Sequence, residues 1–204
     1  MSLPLQVDTI INAKWILPIV PRGKVFEDCS LVLHQGRVVT IHPTHDLGQV
    51  YSSLNTLNLS HHVLMPGLIN AHGHGAMSLL RGYADDMALM DWLKHHIWPA
   101  ENRWLDETFV HDGTQLALAE MLKTGTTCFS DMYFYPEAVA RAALAMGVRA
   151  ALGIIVFEFA TAYGSGPREY LSKGLALRDE LRDQPTLSFT LSPHAPYTTS
   201  DDSL

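Results

Sequence analysis

The 204-residue sequence predicts an α/β protein in two parts: a small β domain over residues 1–61, then a parallel sheet covered by helices over 62–204. Three observations carry that expectation. Short strands with tight turns fill residues 5 to about 60, strand and helix patterns alternate after residue 62, and a His-x-His pair closes the first apolar run of the second part.

Residues 7–17 read as one strand region. Residues 31–34 (LVLH) and 37–41 (RVVTI) flank Gln35-Gly36, a two-residue hairpin turn in which glycine supplies a positive φ. Pro43 then ends the second of these strands. Three or so strands make only a marginal core by themselves.

In the second part, residues 63–70 form an apolar run suited to a buried strand. A helical stretch follows, clearest over 91–98. Asp106 can cap a longer helix running to Lys123, with Gly125 just past its end. Residues 126–131 read as a strand; Pro136 opens the next helix at its first turn and Gly147 closes it. Strand 149–157, helix 169–181 and strand 187–192 complete the series.

Repeated β-α-β units imply a parallel sheet with its helices outside. A doubly wound open sheet and a (β/α)8 barrel both fit. The open sheet usually carries a glycine-rich turn after its first strand, and none is present. A full barrel takes about 250 residues, so residues 62–204 are expected to supply four of its eight strands. A C-terminal half of the barrel is then expected from a longer chain or a second one.

Composition excludes several classes. The chain is 47% hydrophobic and 17% charged, enough for a sizeable core and no sign of general disorder. Its formal charge is −7, without a cluster of Lys or Arg, so neither nucleic acid nor an anionic membrane is expected as a partner. Cys29 and Cys128 stand far apart with no motif around them, as in a reduced cytoplasmic protein. The apolar run 10–20 is interrupted by Asn12, Lys14 and Pro18, too broken for a signal peptide or membrane span.

His72 and His74 carry the chemistry. Two residues apart at the end of an apolar strand, they are expected to project from one face, at the barrel end where active sites lie. Two neutral imidazoles make half of a catalytic zinc-type site, which needs about three protein ligands and an open position. Spacing alone is weak, since 11 histidines in 204 positions give roughly 0.6 such pairs by chance. Strand context favours metal for this pair, whereas the adjacent pairs His61-His62 and His95-His96 read as surface residues.

The surrounding stretch adds a resemblance. Residues 66–101 read PGLINAHGHGAMSLLRGYADDMALMDWLKHHIWPAE, followed by Gly125-Thr126-Thr127, Asp131-Met132-Tyr133-Phe134 and Ser192-Pro193-His194-Ala195-Pro196-Tyr197. This resembles the amidohydrolase superfamily, in its methylthioadenosine/S-adenosylhomocysteine deaminase branch, over nearly the whole of residues 7–204. The resemblance implies a (β/α)8 barrel beside a β-sandwich. The fold class expected is therefore α/β: the first half of a TIM-type barrel, plus part of a small β-sandwich domain.

It further implies that His72 and His74 are ligands of one divalent ion, zinc foremost, and that the substrate is an adenosine-type nucleoside losing ammonia. A bound ion brings its water to a pKa of about 7, and in such enzymes the resulting hydroxide attacks C6 of the purine. Glu101 matches a carboxylate that accepts the ribose hydroxyls, Trp92 an aromatic wall and His194 a histidine that contacts the nucleoside. The family's further His-x-x-Glu, His and Asp, including the Glu that carries the proton, have no counterpart up to Leu204 and are expected downstream. A homo-oligomer is also expected.

One departure stands out. Some relatives place an arginine at the end of the third strand to meet a homocysteine carboxylate, where this chain has Gly153, Ile154 and Ile155. Arg168 is the remaining cation that could reach such a tail. Methylthioadenosine and adenosine are thus expected ahead of S-adenosylhomocysteine. Alternatives are a deaminase or chlorohydrolase of another heterocycle, for which a ribose-binding Glu101 makes little sense, and a catalytically dead barrel kept as a binding module.

Overall fold

In the computed structural model, which describes residues 3–204, the chain opens with strands β1 (Leu5–Gln6), β2 (Thr9–Ile16), β3 (Phe26–His34) and β4 (Arg37–Pro43). β3 and β4 are antiparallel and joined at Gln35 and Gly36, both at positive φ (49° and 71°), the two-residue turn read from the sequence. β5 (Tyr51–Ser52) pairs with β1, and β6 (Asn55–Leu64) runs parallel to β2, giving a sheet of order β4-β3-β2-β6. Two small apolar clusters support these strands, one around Ile10 and Val32 and one around Ala13, Ile16 and Cys29.

Residues 63–70 are not the single buried strand expected. Val63 and Leu64 complete β6, and only Leu68–Asn70 form β7, the first strand of a second sheet. Pro66 lies between them and has no N–H to offer a ladder. Gly67 approaches β8 (Thr126–Met132) so closely that a Cβ would collide with the Thr127 side chain. The chain divides there into compact units Met1–Pro66 and Gly67–Leu204, rather than after residue 61. Leu68 and Ile69 are 51% and 72% exposed, because β7 lies at a sheet edge with β8 as its one neighbour among the described residues.

The second unit pairs β7, β8, β9 (Arg149–Val156) and β10 (Leu187–Pro193) in parallel and in chain order. Without a reversal of order there is no switch point of the doubly wound kind. Four successive strands of a (β/α)8 barrel have this arrangement. Helices α3 (Glu107–Lys123), α4 (Pro136–Met146) and α5 (Pro167–Leu181) connect them. The Asp106 carboxylate accepts the Phe109 N–H at 2.7 Å, capping α3 as expected, and Gly147 closes α4 at φ 68°. Val110, Leu118, Val139 and Tyr170 from these helices pack with Phe129 and Leu152 of the sheet in one core. None of the described helices is long and apolar enough to cross a membrane.

Between β7 and α3 the helical run is longer than the sequence suggested. α1 (Leu89–Trp92), a π-helical turn (Leu93–Ile97) and α2 (Trp98–Trp104) follow without a break. Pro99 falls inside this run. It lacks the N–H that would bond the His95 carbonyl, and its ring would crowd that carbonyl in a regular α-helix. The wider π turn just before it gives the ring room, and the helix continues.

Candidate active site

His74 follows β7 by a few residues, and its segment is fastened to the end of β8 by three hydrogen bonds. The Met132 N–H donates to the Gly73 carbonyl at 3.1 Å, the His74 ring nitrogen Nδ1 lies 2.7 Å from the Met132 carbonyl, and the Gly75 N–H donates to Asp131 Oδ1 at 2.6 Å. A carbonyl can only accept, so Nδ1 carries the proton and Nε2 keeps its lone pair. The His72 ring lies edge-on to His74 with centroids 5.0 Å apart. The sequence brings these two imidazoles together as expected, with His72 exposed and His74 half-buried.

Asp131 is fully buried, and burial lifts its pKa to about 7, against the opposing pull of the Gly75 N–H and of His72. Its Oδ1 holds the turn after His74 through the Gly75 N–H. Glu158, beyond β9, accepts from the Ser200 N–H and hydroxyl, and the hydroxyls of Ser203 first and then Ser200 hold its carboxyl below the ordinary range.

A cavity of about 420 Å³ opens beside His74. Trp92, Glu101 and His194 line it together with His74, so four of the residues singled out from sequence meet at one place. Trp92 is fixed by its indole N–H, which donates to the Ala84 carbonyl at 2.9 Å. Glu101, on α2, is half-buried and accepts the Tyr133 hydroxyl. Burial raises its pKa above the usual carboxylate value, and the Tyr133 bond partly opposes that shift.

His194 follows β10. The Thr198 hydroxyl lies 2.7 Å from its Nδ1 and can give its own proton to the Ala195 carbonyl at 3.1 Å, so Nδ1–H donates and Nε2 remains an acceptor. Burial, and then His74, hold the His194 pKa below its ordinary value. Phe157 packs edge-on against its ring at 5.3 Å.

Arg168 behaves differently. It is exposed on the first turn of α5 and does not line the cavity. Neither does any other Lys or Arg among the described residues. At Gly153 a Cβ would come within 2.5 Å of the Ser192 hydroxyl and 3.0 Å of the Asp131 carbonyl, so packing excludes a side chain there.

Sequence reasoning missed Tyr133, Phe157 and Phe159, which also line the cavity. Tyr133 could have been flagged by its position directly after a barrel strand, at the end where active sites lie. Among the described residues no three His, Cys, Asp or Glu cluster to hold an ion, so His72 and His74 are at most part of a ligand set.

Residues 63–204 match the model of the amidohydrolase family. Across its whole length the chain is 53% identical to a 5-methylthioadenosine/S-adenosylhomocysteine deaminase of Saccharophagus degradans, of which it spans 46%. It is 50% identical, over 98% of its length, to a protein of the same name from Teredinibacter turnerae, again spanning 46% of it. A solved structure of an adenosine deaminase from Xanthomonas campestris with bound zinc matches with TM-score 0.95 at 42% identity, over 98% of this chain and 46% of that one. Atrazine chlorohydrolase of Arthrobacter aurescens, complexed with zinc, gives TM-score 0.82 at 17% identity over 96% and 48%, a likeness of fold alone. The chain thus spans about half the length of the relatives it matches. It belongs to the amidohydrolase family.

Proposed function

We propose that this chain supplies the first half of the active site of a metal-dependent hydrolytic deaminase of adenosine-type nucleosides. The observation that carries the reading is the meeting of His74, Glu101, Trp92 and His194 around one largely apolar cavity. It is supported by the deaminase named above at 53% identity. The half-length match supports completion by the C-terminal half of such a barrel, which would bring the remaining metal ligands and the proton-carrying Glu.

His72 and His74 fit two positions of a divalent ion's ligand set, zinc foremost, His74 through the Nε2 left free by its bond to Met132. An ion held there supplies a water acidified to a pKa of about 7. Trp92 walls the flat purine, and Glu101, ionised, accepts the ribose hydroxyls as only an acceptor can. His194 offers Nε2 to a donor on the nucleoside while Thr198 and Phe157 keep its ring from turning.

Within the nucleosides, methylthioadenosine and adenosine rank ahead of S-adenosylhomocysteine. Met77, Phe157 and Phe159 suit an apolar 5′ substituent, whereas a homocysteine carboxylate finds no cation among the described lining residues. The test is ammonia release by the complete barrel, at matched metal content, from these three nucleosides and from free heterocycles. Turnover of bare heterocycles alone would overturn the proposal.

A further inference from the structure

Among the described residues, Glu101 is the one carboxylate lining the cavity, and its only side-chain hydrogen bond comes from Tyr133, whose hydroxyl lies 2.5 Å from Oε1. Tyr133 is 6% exposed and comes directly after Met132, the residue whose carbonyl fixes His74. Its ring is wedged between His74 and Phe134, with centroids 6.4 and 5.6 Å away. The phenol therefore has a fixed place, set by the end of β8 rather than by the helix that carries Glu101.

An ionised carboxylate accepts and cannot donate, so the single phenolic proton lies on the Tyr133 side of this bond. Burial, reinforced by the charge of Glu101, pushes the tyrosine pKa far upward, and the hydroxyl stays a donor throughout the working range. A free Glu side chain rotates about its terminal bond. Here one oxygen is pinned, which fixes the plane of the group and the direction of its remaining lone pairs.

We infer that Tyr133 is a positioning residue for ribose recognition: by holding Oε1 of Glu101 it aims the rest of the carboxylate at the sugar hydroxyls. This rests on the reading of Glu101 as the ribose carboxylate. Because Met132 and Tyr133 are consecutive, one short piece of backbone then sets both the His74 ring and the sugar contact.

The experiment uses the complete enzyme with methylthioadenosine and its 2′,3′-dideoxy analogue, comparing wild type, Tyr133→Phe, Glu101→Gln and the double variant. Tyr133→Phe is expected to lower kcat/KM for the riboside roughly tenfold, about the effect of one hydrogen bond to a charged group, mainly through KM. The dideoxy analogue should be unaffected, and the double variant should be no worse than Glu101→Gln alone. The ratio of the two substrates is internally normalised, so partial unfolding cancels from it. Equal loss on both substrates, no loss on the riboside, or an undiminished Tyr133→Phe effect in the Glu101→Gln background would each overturn the inference. If Glu101→Gln itself shows no preference between the substrates, the ribose reading falls and takes the inference with it. If Glu101→Gln discriminates and Tyr133→Phe does not, positioning alone falls.

Discussion

The Nδ1–H of His74 is given to the Met132 carbonyl at 2.7 Å, and that bond leaves Nε2 as the ring nitrogen with a free lone pair. The partner lies 58 residues along the chain, at the end of the neighbouring strand. Pairing β7 with β8 thus leaves Nε2 of His74 free and oriented, as the proposed metal site requires.

Removing His72, the exposed member of the pair, tests the proposed metal site. In the complete protein, His72→Ala is expected to strip or weaken the ion and to cut deamination by several orders of magnitude, because the nucleophile is lost. Metal analysis beside an ammonia-release assay checks it. Full activity in metal-free His72→Ala protein would sink the mechanism.

Deleting the Glu101 carboxylate should act on binding and leave the metal in place. Each hydrogen bond to a charged acceptor is worth roughly 1.5–3 kcal/mol, so Glu101→Ala should lower kcat/KM for methylthioadenosine by about ten- to several-hundredfold. Unchanged metal content separates this from damage around His72 and His74.

The same carboxylate has a pH signature. Burial raises its pKa above the ordinary 4.5, so kcat/KM should fall, as pH drops, through a midpoint above that value. Stability runs the other way. A carboxyl whose pKa is raised on folding favours the folded state most below 4.5 and loses that contribution as pH rises through the folded value. Glu101→Gln should therefore raise Tm at pH 7, and the gap should close below pH 4.5. A Tm for Glu101→Gln below wild type at pH 7 would show that the ionised group stabilises the fold.

The 204-residue chain produced by itself should aggregate. Leu68 and Ile69 on β7 and Leu191 on β10 are 51%, 72% and 64% exposed, on the two strands that border the parallel sheet. A monomer by light scattering, with a sharp cooperative melt, would contradict the half-barrel reading.

Gly153 ties packing to specificity. Gly153→Ala should cost about 1–3 kcal/mol in denaturant unfolding of the complete protein, the usual range for overpacking, because β10 and the Asp131 carbonyl already fill the space. Gly153→Arg should not confer activity on S-adenosylhomocysteine. Turnover of that nucleoside by a stable Gly153→Arg protein would show that β9 can move aside.

Features set by local chemistry could be read from the sequence. Gln35-Gly36, the Asp106 cap and the Pro136/Gly147 ends of α4 each depend on residues within a turn or two. The strand at 63–70 could not, since apolarity does not reveal that Pro66 and Gly67 divide it. The candidate site divides similarly. His72, His74, Glu101, Trp92 and His194 came from motif and strand position, but the Tyr133 bond to Glu101 spans 32 residues and depends on where α2 meets the end of β8. Continuation of the helix past Pro99 was hidden for a related reason, because a proline is a stop signal unless the preceding turn is already widened.

That widened turn also sets an angular phase. Trp92 and Glu101 are nine residues apart, and at about 100° per residue a regular α-helix would leave them about 180° apart, on opposite faces. The π turn at Leu93–Ile97 absorbs one additional residue, which brings the two to within about 80° of each other. Both then look into the same cavity. The spacing between Trp92 and Glu101 therefore works as a count. Straightening the turn at 93–97 into regular α-helix, with no residue removed, would leave every side chain of the site in the sequence and still turn Glu101 about 100° around the helix axis.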